Sequence, residues 1–232
     1  MKLAIMQPYF FPYIGYFQLL AVVDKFVFYD DVNYIKNGWI NRNRLFLAGA
    51  TRYITAPLVA ASPFAKINEI EVQPDEAWRR KMLESVRHSY SRAPYFAPVS
   101  ELLSQVLYSE DARIAEIAKK SILAVCEYIG VQRELVATSS IYGNASLKGS
   151  ERVLDICARE GAQEYYNLPG GRELYSDEQF TARGVDLKFI QPRLAEYKQV
   201  AEEFLPGLSI LDVLMFNSPE AAGAMVREGA AA

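Results

Sequence analysis

The chain opens with strand, loop, helix and strand inside about 30 residues, and this order limits the fold more than any other feature. Lys2–Met6 is a short apolar run ended by Gln7-Pro8. Tyr9–Tyr13 is aromatic, contains Pro12 and reads as a loop. Apolar spacing from Ile14 to Val23 predicts a short helix, and Phe26–Tyr29 predicts a second strand. Two strands joined through a helix pair in parallel, because a parallel crossover needs about a dozen residues or more.

Downstream the alternation continues. Arg44–Ala48 and Arg52–Ala56, on either side of Gly49-Ala50, read as a hairpin. Pro74-Asp75 opens a helix to about Ser89, and helices are expected over about Val99–Leu107 and Ala112–Ile129, with Gly130 as the stop signal. Glu134–Thr138, Glu164–Asn167 and Leu187–Ile190 read as strands, with helices at Gly149–Glu160 and about Ser176–Arg183 between them. Helices near Glu196–Phe204, Ser209–Phe216 and Pro219–Arg227 close the chain, and Gly229–Ala232 reads as a loose tail. Strands alternating with helices give the α/β class: a mainly parallel, Rossmann-like sheet with helices on both faces. The expected organisation is a single domain over residues 1–232, with the strandless stretch at about 74–130 as a helical insertion or cap.

Composition narrows the function classes. Apolar residues make up 51% of the 232 and charged residues 23%, ordinary for a globular chain with a sizeable core. The net charge is −3, and basic residues gather only locally, at Arg42–Arg44 and Arg79–Lys81. Without a basic stripe no nucleic-acid partner is expected. The single His and the two cysteines, Cys126 and Cys157, lack zinc-site spacing, so no metal is expected. No apolar run reaches about 18 residues, so no membrane span is expected. No basic leader with a cleavage site precedes the first strand, and a cytoplasmic location with reduced thiols follows as the expectation. The 15 tyrosines suit either an aromatic core or a cleft for a polar organic ligand, since each buries a ring and keeps a hydroxyl for a partner.

The densest candidate cluster is Gln7–Phe17, between the first strand and the first helix. Ligands of parallel α/β sheets bind beyond the carboxyl ends of strands, and helix N-termini favour anions. Gln7, Tyr13 and Tyr16 are the candidate binding residues there; the alternative is that the aromatics merely pack the loop. Tyr13-Ile14-Gly15-Tyr16 echoes the His-x-Gly-His signature of nucleotidylyl transferases. Tyrosine replaces both histidines, so the echo speaks for a nucleotidylyl-transferase-like fold more than for the reaction. Asp30-Asp31 end the second strand, where a carboxylate can hold a ribose, a metal or an amine. Strand alternation turns one of the two to the cleft; an ordinary Asp/Asn turn is the alternative.

Trp39, Asn41, Arg42, Asn43 and Arg44 set planar donors beside an aromatic face, a combination for phosphate, carboxylate or sugar. His88 is the candidate general base, although Arg87 adjoins it and no carboxylate partner is visible. Lys148 precedes a helix start at Gly149-Ser150, which is either an anion site or an ordinary helix end. Gly170-Gly171 follow a strand and allow close backbone approach to a ligand, or simply a turn. Both cysteines fall at apolar helical positions and read as buried structural thiols.

Taken together, these segments resemble the WbqC-like family, in order and along nearly the whole chain. The resemblance rests on Gln7-Pro8, Phe11-Pro12-Tyr13 and Gly15-Tyr16, then on Asp30, Trp39 and Asn41-Arg42-Asn43. It continues through His88-Ser89-Tyr90, Ala93-Pro94-Tyr95-Phe96, Lys148-Gly149 and Arg152. It ends in Gly161-Ala162, Tyr165, Tyr197-Lys198-Gln199, Phe204 and Leu208–Asp212. Similar proteins are encoded in bacterial gene clusters for surface polysaccharides such as the O-antigen of lipopolysaccharide, and in some clusters for small natural products. The resemblance implies modification of an amino sugar by an acyl or aminoacyl group placed on nitrogen.

On that implication the first expectation is an acyl- or aminoacyl-transferase acting on a nucleotide-linked amino sugar, with an acyl carrier protein or acyl thioester as donor. Trp39 and Tyr13 flank the sugar or base, Arg42 and Arg44 hold phosphates, Asp30 orients the amine and His88 removes its proton. The second expectation is a non-catalytic binding module for an acyl carrier protein or partner enzyme, motivated by the unpartnered His and inert thiols. The third is nucleotidylyl transfer, which requires a nucleoside triphosphate with magnesium. The sequence identifies no resident cofactor.

Overall fold

The computed structural model describes residues 1–230. Five strands form one parallel sheet: β1 (Lys2–Met6), β2 (Lys25–Phe28), β5 (Glu134–Val136), β6 (Glu164–Asn167) and β7 (Asp186–Phe189). Their spatial order is β5-β2-β1-β6-β7. The chain therefore leaves β1 for β2 and β5 on one side, then returns to lay β6 and β7 on the other. The order reverses between β1 and β6, and ligands of such sheets bind at that boundary, outside the carboxyl ends of the strands. Two further strands, β3 (Arg42–Leu47) and β4 (Ala50–Thr55), form the expected antiparallel hairpin, tightened to a turn at Ala48-Gly49.

Both faces of the parallel sheet are covered. Ala4, Met6, Phe26 and Phe28 point into a large core with α1 (Ile14–Val22), α4 (Ile114–Tyr128) and α8 (Pro219–Ala230). Leu3, Ile5 and Val27 point the other way, against Val153, Leu154, Ile156 and Cys157 of α5 (Gly149–Glu160) and Phe180 of α6 (Asp177–Thr181). The period of two in these short strands explains the division. Cys126 and Cys157 are both buried, and burial pushes each thiol up to about 12, so neither is a ready nucleophile. Among the described residues no helix is long and apolar enough to cross a membrane.

The strandless middle stretch forms α2 (Ala77–Tyr90), α3 (Phe96–Leu107) and α4. It packs against the β3–β4 hairpin and α7 (Ile210–Phe216) and shares the large core.

The helix expected near Glu196–Phe204 is absent, and residues 190–208 form no helix, with bends at 200–203 and a turn at 206–207. The reason is a polar anchor. Asp212 is fully buried and accepts hydrogen bonds from Tyr90 Oη (2.6 Å), Tyr197 Oη (2.8 Å) and Gln199 Nε2 (2.8 Å). Tyr197 and Gln199 reach one carboxylate oxygen from positions two apart, which an extended chain permits and a helix does not. The Leu205 N–H donates to Gln199 Oε1 at 2.7 Å and fixes the end of the strap. At the other end of the chain, Gly229 and Ala230 belong to α8 rather than to a tail, and the rest of the expected tail, residues 231–232, lies outside the described residues.

Two buried ion pairs sit beyond β2. Lys119 Nζ lies 2.6 Å from Asp30 Oδ2, and Arg152 Nη2 lies 2.6 Å from Asp31 Oδ2. Removing one partner of such a pair leaves a charge buried without compensation. Lys119→Met is expected to lower unfolding free energy by about 3 kcal/mol or more, read by urea denaturation. Asp212 offers a second test. Burial raises its pKa against the opposing pull of its three donors. A carboxyl raised in the folded state binds its proton more tightly there, so its contribution is full at low pH and is lost as pH climbs through the folded pKa. The stability of the wild type relative to Asp212→Asn should therefore fall as pH rises above about 4, measured by denaturation across a pH series.

Candidate functional site

The loop Gln7–Tyr13 leaves the end of β1 at the switch point and is held in a shape it would not adopt alone. Phe11 has φ of 42°, a left-handed conformation costly for a bulky side chain. Hydrogen bonds from several elements enforce it. Asn43 of β3 donates through Nδ2 to the carbonyls of Phe10 (3.1 Å) and Phe11 (2.9 Å). Ser209 Oγ, at the start of α7, donates to the Phe11 carbonyl at 2.7 Å. The Phe11 N–H donates to Ser121 Oγ of α4 at 3.0 Å, and the Phe10 N–H to the Trp39 carbonyl at 3.0 Å. Gly15 completes the turn, because a Cβ there would lie 2.5 Å from the Tyr13 ring.

The clamped loop forms one wall of a cleft of about 590 Å³, the usual size for a small organic ligand. Met6 at the end of β1, Gln7 after it, Tyr29 after β2 and Asn167 at the end of β6 form its floor. Tyr9, Pro12 and Tyr13 come from the loop. The opposite wall is the 3-10 segment Pro169–Leu174 with Tyr175, where a Cβ on Gly171 would meet Asn167 Nδ2 at 2.9 Å. Ile35, Trp39 and Leu174 rim the mouth and are solvent-exposed.

Among the described residues lining this cleft, Arg44 is the one charged side chain. Its guanidinium lies 5.4 Å from the Trp39 ring centroid, and its Nε is buried with no hydrogen-bond partner. The phenols around it are neutral at physiological pH. Burial raises Tyr9, Tyr29 and Tyr175, and burial followed by the neighbouring Tyr9 pushes Tyr13 up to about 12. The cleft thus offers neutral donors and acceptors, aromatic faces and one cation, without a carboxylate to hold a divalent metal. Among the described residues no group of three or more His, Cys, Asp or Glu is placed to hold a metal ion.

Of the residues singled out in the sequence, Gln7, Tyr13, Trp39, Asn43, Arg44, Gly170 and Gly171 meet in this cleft. The others do not. His88 is exposed on α2, and no residue from 74–130 lines the cleft, so the helical stretch does not roof it. Asp30 is 1% exposed and committed to Lys119, Thr138 Oγ1 (2.7 Å) and the Ser139 N–H. Asp31 is equally committed to Arg152, so neither carboxylate reaches the cleft. Tyr16 is buried and donates to the Gln7 carbonyl at 2.9 Å. Asn41 is buried between the Tyr34 hydroxyl and the Ala56 carbonyl. Arg42 donates to the carbonyls of Asn37 and Gly38 outside the cleft. Lys148 is exposed ahead of α5.

Tyr9, Tyr29, Asn167 and Tyr175 are lining residues that the motif reading did not select. Tyr29 and Asn167 stand at the carboxyl ends of strands flanking β1, a signal readable once the strand order is known.

The WbqC-like protein family has a model that matches residues 7–224. A protein of Mycobacterium tuberculosis (strain ATCC 25618 / H37Rv) named Uncharacterized protein Rv1507c is 32% identical over 219 residues, covering 93% of each chain. No solved structure matches the chain.

The clamp has a direct test. Asn43→Ala removes the donor to the Phe10 carbonyl and one of two donors to the Phe11 carbonyl. It should cost about 1–3 kcal/mol in denaturant unfolding. Because Ser209 shares the Phe11 carbonyl, the double variant with Ser209→Ala should depart from additivity by at least about 0.5 kcal/mol.

Proposed function

This chain belongs to the WbqC-like protein family, and from that premise we propose that it is a transferase of surface-polysaccharide assembly acting on a nucleotide-linked amino sugar. The cleft takes the sugar part and presents its amine to an acyl or aminoacyl donor. The observation that carries this reading is the lone cation: Arg44, stacked by Trp39, in a neutral cleft rich in hydroxyl and amide groups at the switch point of the sheet. A pyranose has apolar faces for aromatic rings and hydroxyls for Gln7 and Asn167. Its anomeric phosphate is matched by a guanidinium with an unused buried N–H.

In the transfer itself the amine nitrogen bonds to the carbonyl carbon, and the carbon–sulfur bond of a thioester donor breaks. The amine's proton passes to the departing sulfur, which leaves as the free thiol. Among the described lining residues no side chain is a ready proton acceptor at neutral pH, since burial holds the phenols protonated. The rate in this reading comes from positioning the amine and from neutral donors at the developing oxyanion. The same lack of a base is the observation that favours the second reading, a binding module without turnover.

Calorimetry against nucleotide-linked amino sugars, with mass detection of N-acylated product from acyl thioesters, decides between them. Wild type should bind, and Arg44→Ala should weaken binding roughly 10- to 100-fold, the range for losing a charge-assisted hydrogen bond. Saturable binding with no product from any donor supports the module. Failure to bind any sugar nucleotide overturns both the acceptor and the role of the cleft.

A further inference from the structure

The ligand surface does not end at the cleft mouth. In the β3–β4 register Arg42 faces Thr55, Arg44 faces Tyr53 and Phe46 faces Thr51. Asn43, Leu45, Leu47 and Ile54 are buried, so those six residues share the hairpin's other face. That face holds two guanidiniums, three hydroxyls and no carboxylate. Along it Arg42 lies 4.2 Å from the Tyr53 ring centroid, Tyr53 lies 6.3 Å from Trp39, and Trp39 lies 5.4 Å from Arg44. Cation, ring, ring and cation thus form one continuous rack that starts inside the cleft at Arg44 and ends outside it at Arg42. Tyr53 remains 48% exposed and Trp39 36%, large aromatic area for a surface beside a cleft.

Resting on the reading of the cleft as a sugar site, we propose that this rack is a second subsite, which takes a planar base carrying a diphosphate. The two guanidiniums match phosphate, and the rings offer the sequence-tolerant stacking surface that bases use. Arg42 also donates to the Asn37 and Gly38 carbonyls and so braces the loop that presents Trp39. Base and diphosphate occur together both in a sugar nucleotide and in coenzyme A, so the rack receives the nucleotide of either the acceptor or the acyl donor.

The test is calorimetry on the full chain with uridine, thymidine and guanosine diphosphates, coenzyme A, and glucosamine 1-phosphate as a sugar phosphate without a base. Tyr53→Ala should weaken the base-bearing ligand that binds by about ten-fold or more, while Tyr53→Phe keeps its affinity. Arg42→Ala should weaken the same ligand and flatten its salt dependence. Tyr53→Ala should leave glucosamine 1-phosphate binding unchanged. A loss for nucleoside diphosphates assigns the rack to the acceptor, and a loss for coenzyme A assigns it to the donor. Unchanged binding of all base-bearing ligands by Tyr53→Ala and Arg42→Ala overturns the rack, and the cleft reading stands if Arg44→Ala still loses the sugar nucleotide. Binding of a nucleoside diphosphate that depends on Tyr53, with no affinity for any sugar nucleotide or sugar phosphate, upholds the rack and removes the cleft reading.

Discussion

The hydrogen bonds of Asn43 to the Phe10 and Phe11 carbonyls hold the rest of the site in place. A phenylalanine in a left-handed conformation relaxes unless its surroundings over-determine it. Here β3, α4 and the start of α7 each contribute a polar side chain to the same two residues. One loop therefore registers the hairpin, the helical stretch and the C-terminal helices against the first strand of the sheet. The same loop delivers Gln7, Tyr9 and Tyr13 to the cleft, so the shape of the ligand wall and the assembly of the fold are one structural fact.

The paired carboxylates beyond β2 have a comparable task. Asp30 and Asp31 point to opposite sides of an extended chain, and each meets a buried cation from a different helix, Lys119 of α4 and Arg152 of α5. The two helices lie on opposite faces of the sheet, so the Asp-Asp step pins both layers to the end of one strand. Arg152 also lies 4.9 Å from the Tyr29 ring, which links this pin to the cleft floor. Buried pairs of this kind are weak contributors to net stability but penalise other arrangements, since a misplaced layer would strand a charge.

Much of the architecture was readable from periodicity. The apolar run at Lys2–Met6, the paired tyrosines within Glu164–Asn167 and the amphipathic stretch at Gly149–Glu160 carry their own signals and lie where expected. The failed helix at Glu196–Phe204 shows the limit, because its backbone is set by Asp212, a carboxylate well downstream in sequence. The site was legible in part for the same reason. Gln7, Tyr13, Trp39 and Arg44 could be found from residue type and position after a strand, and Gly170 and Gly171 from their freedom of backbone. Asn43 was found for the wrong task, since a side chain that reaches a backbone carbonyl is indistinguishable in sequence from one that reaches a ligand. His88 attracted chemistry by residue type and Asp30 by its place at the end of a strand, yet one faces solvent and the other is neutralised by Lys119.

The charge pattern of the cleft restricts what it can select. A single guanidinium among buried phenols and amides sits in a medium of lower dielectric than water, where its attraction for an anion is strengthened. Neutral walls add no second cation, so a ligand that brings more negative charge than Arg44 can match must keep the excess outside. The outer face of the hairpin is where such an excess finds Arg42, held on the same strand and two residues from Arg44. Strand alternation thus sets the spacing between the two cations, and a rigid hairpin fixed to the Phe10–Phe11 clamp keeps it constant. Selectivity for a ligand of that charge spacing follows from the period of a β-strand rather than from a flexible loop.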